Sequence, residues 1–194
     1  MNKNNVFIVA ELSANHNQDK QLAIATIKAA RQAGADAVKL QTYTADTMTI
    51  DCDNDCFRIS GGTLWDGRTL YELYKDAYTP WEWHQELFEL CHKEGLLCFS
   101  TPFDKTAVDF LETLNNPIYK IASFEITDIP LIRYIARLGK KIILSSGIAT
   151  LEDIDNAVAA CRGEGNDEIV ILKCTSSYPA PLNEANLLAI PEIR

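Results

Sequence analysis

No stretch of this 194-residue chain approaches the roughly 20 consecutive apolar residues that a membrane-crossing helix needs, so no membrane partner is expected. Basic charge is also scarce. The 18 Lys and Arg are outnumbered by 27 Asp and Glu, for a net charge of −9. Binding to a phosphate backbone needs clustered cations, so this balance argues against a nucleic-acid partner. Met1–Asn5 is followed by only a short apolar run, without the h-region and cleavage site of a secretory leader, so a cytoplasmic location is expected. Histidine is rare, at 3 residues, and no second Cys/His pair completes a zinc site. No Walker loop, G-x-G-x-x-G or G-x-S-x-G motif is present, nor any internal repeat or low-complexity linker.

The 6 cysteines divide into two groups. Cys91, Cys98, Cys161 and Cys174 fall in predicted helices or strands, where a free thiol acts as a small hydrophobe. Cys52 and Cys56 share the acidic loop Asp51–Cys56 and read as two free thiols of a reducing compartment rather than a metal or disulfide pair.

What the chain does have is rhythm. Apolar runs at 6–11, 36–42, 96–100, 117–122, 140–145 and 168–174 read as strands buried on both faces, and amphipathic segments between them read as helices. Helix punctuation is legible: Gly34, Gly95 and Gly139 as stops, and Asp104, Asp128 and Thr150 as N-caps. Thr79-Pro80-Trp81-Glu82 has the form of a capping box with proline at the first helical position. Strand–helix alternation implies parallel strands with right-handed crossovers, in either an open doubly wound sheet or a (β/α)8 barrel. The barrel is favoured, because alternate strand residues then point at the axis and polar strand ends converge on one mouth. A full barrel takes about 250 residues, so the expected fold class is α/β, a (β/α)8 barrel truncated after about six βα units. Residues 43–79 break the rhythm with a long excursion on the C-terminal side of the second strand. It carries Gly61–Arg68 and the aromatics Tyr71, Tyr74 and Tyr78, and reads as a lid, a specificity element, a packing loop or a subunit contact.

Three lysines stand near strand ends, each followed by small polar residues: Lys39, Lys120 and Lys173. An ammonium in an apolar strand is costly to desolvate unless an anion meets it. The pattern therefore predicts an anion-binding site, with donors from Thr101, Ser123, Ser145, Ser146 and Ser176. The inward direction of Lys173 rests on register alone. A strand-end lysine can also form a Schiff base, or be neutralised by Glu11 and Glu125 with no ligand. Glu11, at the end of the first strand, could serve as a base, position a water, hold a cation or pair with a lysine. His16 reads as a hydrogen-bonding or surface residue, and His84 and His92 as structural helix residues.

These residues fall into motifs. Ala10–His16, Val38–Thr42, Ser100–Phe103, Tyr119–Glu125, Ser145–Gly147 and Lys173–Pro179 together resemble, in order and nearly throughout the chain, the sialic acid synthase family. The stretches Gly61–Asp66, Leu70–Tyr74 and Thr79–His84 are most similar to its pseudaminic acid branch. The resemblance implies a condensation of phosphoenolpyruvate with an acetamido-sugar aldehyde to give a nonulosonic acid. The aldehyde would be activated by a divalent metal, Mn or Mg. It also implies that Glu11 handles the water or protons, and that Lys39, Thr101, Lys120, Ser123, Ser145 and Ser176 surround the phosphoenolpyruvate. Gln41, Glu125 and Tyr178 would lie near the acceptor sugar or the metal's water shell. Many sialic acid synthases carry asparagine where this chain has Ser176.

On that resemblance, residues 1–194 form the N-terminal part of a synthase barrel. The last strands with their metal ligands, and a C-terminal antifreeze-like domain that completes a homodimer's sugar site, would lie outside this sequence. The 194 residues alone would then be inactive. The remaining alternatives are an N-acetylneuraminate or legionaminate synthase, an inactive fragment, and a class I aldolase with Lys120 as nucleophile.

Overall fold

The computed structural model describes residues 6–62, 65–177 and 179–193. Thr63 and Leu64 of the Gly61–Asp66 motif, and the candidate Tyr178, lie outside the described residues. The chain divides into two compact units, Met1–Asn115 and Asn116–Arg194.

In the first unit, strands β1 (Val9–Glu11), β2 (Ala37–Thr42) and β3 (Leu97–Pro102) pair in parallel. Parallel neighbours need long crossovers. Helix α1 (Lys20–Gln32) provides the first, and the second carries α2 (Ala45–Met48), α3 (Leu70–Ala77) and α4 (Trp81–Lys93). Helix α5 (Lys105–Thr113) follows β3. Asp19 starts α1 by accepting from the backbone N–H of Gln21 and Leu22, and the chain leaves the helix through Gly34 at φ 89°. The buried stripes are Ala23 and Ile27 on α1, and His84, Leu87 and Cys91 on α4. Ala23, Ile27, Leu87 and Cys91 pack with Leu12, Val38, Leu40, Leu96 and Cys98 into one apolar core. Each fully buried Leu or Ile there stabilises the fold by about 1.5–3 kcal/mol relative to exposure.

Two expectations change in this unit. The excursion is not a loop throughout, since α3 forms within it. Thr69 and Glu72 cap that helix reciprocally, at 3.1 and 2.9 Å, a T-x-x-E signature the sequence displays. In contrast, the capping box expected from Thr79 is absent. The N-cap of α4 is Pro80, with no side-chain cap bond. The Thr79 hydroxyl bonds the ring of His16 instead.

In the second unit, β4 (Ile118–Ile121), β5 (Lys141–Ser145) and β6 (Ile169–Leu172) pair in parallel. Helix α6 (Ile129–Ala136) joins the first pair and α7 (Leu151–Gly163) the second. Asp128 caps α6 at 3.0 Å, and Thr150 with Asp153 forms a capping box on α7. Leu131, Ile132 and Ile135 of α6, and Ile154, Ala157 and Cys161 of α7, supply the buried faces. Not every strand is buried on both sides as expected. In β6, Val170 and Leu172 remain 39% exposed, because nothing among the described residues covers that row.

Candidate active site

The parallel register of the first unit sets Glu11, Lys39 and Phe99 side by side, with Gln41 beside Thr101 two residues further along. Paired residues of a parallel sheet share a face, and so do i and i+2, so one face carries Glu11, Lys39, Gln41 and Thr101. The Lys39 ammonium forms an ion pair with Glu11 and donates to Thr101 Oγ1 at 3.3 Å. Thr101 is buried and Lys39 half-buried, while the Glu11 side chain is 41% exposed. A carboxylate beside an ammonium and open to solvent is placed to take a proton or orient a water.

Behind this face lies a buried polar chain. Pro80 O can only accept, so His84 Nδ1–H donates to it at 3.2 Å. Nε2 then accepts from Thr42 at 2.9 Å, and Thr42 Oγ1 accepts from Ser100 at 2.7 Å. Burial pushes the His84 pKa down to about 4, which keeps the ring neutral. The i, i+3, i+7 spacing of His84, Leu87 and Cys91 marks His84 as inward-facing, but its partners on β2 and β3 were not readable from sequence.

The second unit gathers a different set. Lys120 is only 7% exposed. Its ammonium donates to Ile121 O at 2.6 Å and to Ser145 Oγ at 2.5 Å. Ser145 Oγ also accepts from the Cys174 thiol at 3.3 Å. Both acceptor positions of that hydroxyl are thus used, leaving its O–H to donate to an incoming anion. Ser123 Oγ accepts from Gly147 N–H at 3.2 Å. A methyl at Gly147 would collide with Ser176 Oγ and stand 2.8 Å from Ser123 Oγ. A side chain there would force both hydroxyls to move, a constraint that Ser145-Ser146-Gly147 in the sequence does not reveal. Glu125 follows β4 in a short 3-10 turn. Its carboxyl pKa is raised by burial, against the pull of Lys120. Its buried Oε2 has no hydrogen-bond partner among the described residues. Buried carboxylate oxygens are normally satisfied, and a substrate hydroxyl or a water would complete this one.

Lys173 differs from Lys39 and Lys120. It donates to its neighbour's carbonyl, Cys174 O, at 2.8 Å. It lines a cavity of about 570 Å³ with Val158, Arg162, Ile169 and Ile171. Ser145 pairs with Leu172, so strand alternation puts Lys173 in the opposite row from Ser145. The sequence expectation of three inward lysines is corrected to two. The thiols of Cys52 and Cys56 are free. Among the described residues no group of three or more His, Cys, Asp or Glu could hold a metal ion. These residues do not fit a metal centre.

A model described as the NeuB family matches residues 26–194. A pseudaminic acid synthase from Helicobacter pylori is 54% identical over 186 residues, which are 96% of this chain and 54% of that protein. The solved N-acetylneuraminic acid (sialic acid) synthetase of Leptospira borgpetersenii is 33% identical at TM-score 0.85, covering 98% of this chain and 61% of that one. A truncated 3-deoxy-D-arabino-heptulosonate 7-phosphate synthase of Thermotoga maritima, at 13% identity and TM-score 0.66, shares the fold alone. With these likenesses the fold class is α/β, that of a (β/α)8 barrel carried through six strands. The chain spans about half the length of the curated relatives it matches.

Proposed function

The chain belongs to the NeuB family, and on that premise we propose that the full-length protein condenses phosphoenolpyruvate with an acetamido-sugar aldehyde, as a pseudaminic acid synthase. C3 of phosphoenolpyruvate bonds to the aldehyde carbon, whose oxygen takes up a proton. Water adds at C2, and the resulting tetrahedral centre releases inorganic phosphate by C–O cleavage. Atoms balance as phosphoenolpyruvate, aldehyde and water giving nonulosonic acid and phosphate.

The observation that carries this reading is Lys120, a buried ammonium that donates to Ile121 O and Ser145 Oγ at the ends of β4 and β5, where the Ser145 O–H is left to donate. A desolvated cation with convergent hydroxyls suits a small, multiply charged anion. Lys120, Ser123, Ser145 and Ser176 hold the phosphate or carboxylate of phosphoenolpyruvate. By resemblance Lys39 and Thr101 are phosphoenolpyruvate contacts, while Glu11 orients the water or moves its proton. The same resemblance assigns Gln41, Glu125 and Tyr178 to the acceptor sugar or the metal's water shell. A divalent ion, Mn or Mg, takes its ligands outside these 194 residues. The full protein works as a cytoplasmic homodimer, with the present residues as the N-terminal part of its barrel.

The test is phosphate release by the full-length protein from phosphoenolpyruvate and a panel of acetamido-sugar aldehydes, with and without chelator. Turnover best with the trideoxy diacetamido altrose, lost on chelation, supports the reading. Preference for the N-acetylneuraminate or legionaminate acceptor moves it within the family. A borohydride-trapped adduct on Lys120 with chelator-insensitive turnover overturns it in favour of an aldolase.

A further inference from the structure

The loop that follows Glu11 is tightly wound. Ser13, Asn17 and Gln18 adopt left-handed backbone conformations, at φ 45°, 48° and 57°. For residues other than glycine each costs about 1–2 kcal/mol, so surrounding contacts must hold them. Several contacts do. Leu12 is 1% exposed, its N–H bonds Lys39 O at 3.0 Å, and its carbonyl accepts from both N–H and Nδ2 of Asn15.

The anchor beyond is His16, fully buried although it lies in a loop. Its tautomer follows from its neighbours. The backbone N–H of Gln18 can only donate, so Nδ1 accepts it, at 3.1 Å. Nε2 therefore carries the proton and donates to Thr79 Oγ1 at 3.1 Å. The ring meets Trp83 edge-on at 5.4 Å. Gln18 adds a second tie, its Nε2 donating to Asp76 O at 2.9 Å and Tyr78 O at 2.5 Å. Both ties end on Asp76–Thr79, where the excursion returns to α4.

We infer that His16 is a positioning residue that locks the Glu11 loop to the C-terminal end of the 43–79 excursion, so that the placement of Glu11 depends on the seating of that excursion. This rests on the synthase reading, and it adds a role for a histidine whose two ring nitrogens are already engaged. The device explains why Thr79 forgoes capping α4: its oxygen serves the loop instead. It also makes the excursion more than a cover, because any movement of Tyr78 and Thr79 pulls on the segment that carries Glu11.

The test compares His16→Ala, His16→Gln, Thr79→Val and the His16→Ala/Thr79→Val double variant of the full-length protein. A displacement of Glu11 of about 1 Å lowers kcat by about tenfold to a hundredfold. That loss is expected in His16→Ala, with KM for phosphoenolpyruvate within about twofold of wild type. His16→Gln, whose amide can still donate to Thr79, recovers part of the loss. Thr79→Val shows a smaller drop, and the double variant is no slower than His16→Ala. Unchanged kcat, or losses that multiply in the double variant, overturns the clamp. If the wild-type protein releases no phosphate, the synthase reading fails separately. The clamp is then decided by amide exchange at Gln18 and Asp19 and by the Glu11 carboxyl ¹³C resonance. Faster exchange with a moved resonance in both His16→Ala and Thr79→Val supports it, and an unmoved resonance overturns it.

Discussion

Lys39 and Lys120 occupy equivalent places in sequence, each near a strand end before a short polar run, yet the two units treat them differently. Lys39 shares its charge with Glu11 and donates to Thr101. Lys120 is buried and donates to a carbonyl and to Ser145. A cation already paired with a carboxylate offers less attraction to an incoming anion, but holds that carboxylate ready for proton chemistry. A buried cation that donates to a carbonyl and a hydroxyl, with the Glu125 carboxyl within its pull, attracts an incoming anion the more strongly because the local dielectric is low. The lesson is that a repeated motif does not imply a repeated role; the partner sets the role.

The largest effect should come from removing that buried charge. Lys120→Met in the full-length protein is expected to lower kcat/KM for phosphoenolpyruvate by about a thousandfold, chiefly through KM. Lys39→Met should lose about a hundredfold, chiefly through kcat, because it releases Glu11. Steady-state kinetics check this, and equal losses in the same parameter would break the distinction.

The units also differ in their response to pH. His84 has a folded pKa of about 4 against 6.5 for the free group. The unfolded chain therefore gains a proton first as pH falls, and stability is lost between about 6.5 and about 4, by about 3 kcal/mol in all. In the second unit Glu125 has the opposite sign. Its folded pKa is raised, so its contribution is full below the unfolded value of 4.5 and is lost as pH rises through the folded one. Site-resolved amide exchange across pH 4 to 8 should show the first unit weakening in acid, an effect absent from His84→Asn. Glu125→Gln should remove the alkaline loss in the second unit. The same sign in both units would contradict this account.

Next in size is Gly147→Ala. Its methyl must displace the Ser176 and Ser123 hydroxyls, and overpacking of this kind costs about 1–3 kcal/mol. Phosphoenolpyruvate affinity measured by calorimetry should fall about tenfold, and a denaturant melt should show a stability loss within that same range. The smallest effect is expected at the third lysine. Lys173→Ala should change phosphoenolpyruvate affinity by less than about threefold, because Lys173 bonds Cys174 O and stands in the opposite row from Ser145. A loss matching that of Lys120→Met would return Lys173 to the site.

The strands were legible because a parallel strand is a short apolar run with turn residues on either side. The caps at Asp104, Asp128 and Thr150 were legible because capping is local. Thr79 misled for the same reason. Its local pattern fits a cap, but a partner 63 residues away in sequence takes the hydroxyl. Helix α3 is short, eight residues inside a long excursion, so its Thr69–Glu72 box is the one local mark of it. Of the candidate site residues, Lys39, Lys120, Ser145 and Glu125 stood out because a charge or hydroxyl inside an apolar strand, or just past its end, is unusual. Gly147 and the Thr42–His84–Ser100 chain did not, because their significance lies in contacts across elements.

The α/β repeat, the order of the motifs and the family they resemble are written in the amino-acid order, since periodicity, capping and motif spacing are properties of neighbouring residues. Which lysine meets a carboxylate, which is buried beside a hydroxyl and which stands in the opposite row emerges on folding. Those outcomes depend on register and burial, set by packing between segments far apart in the chain.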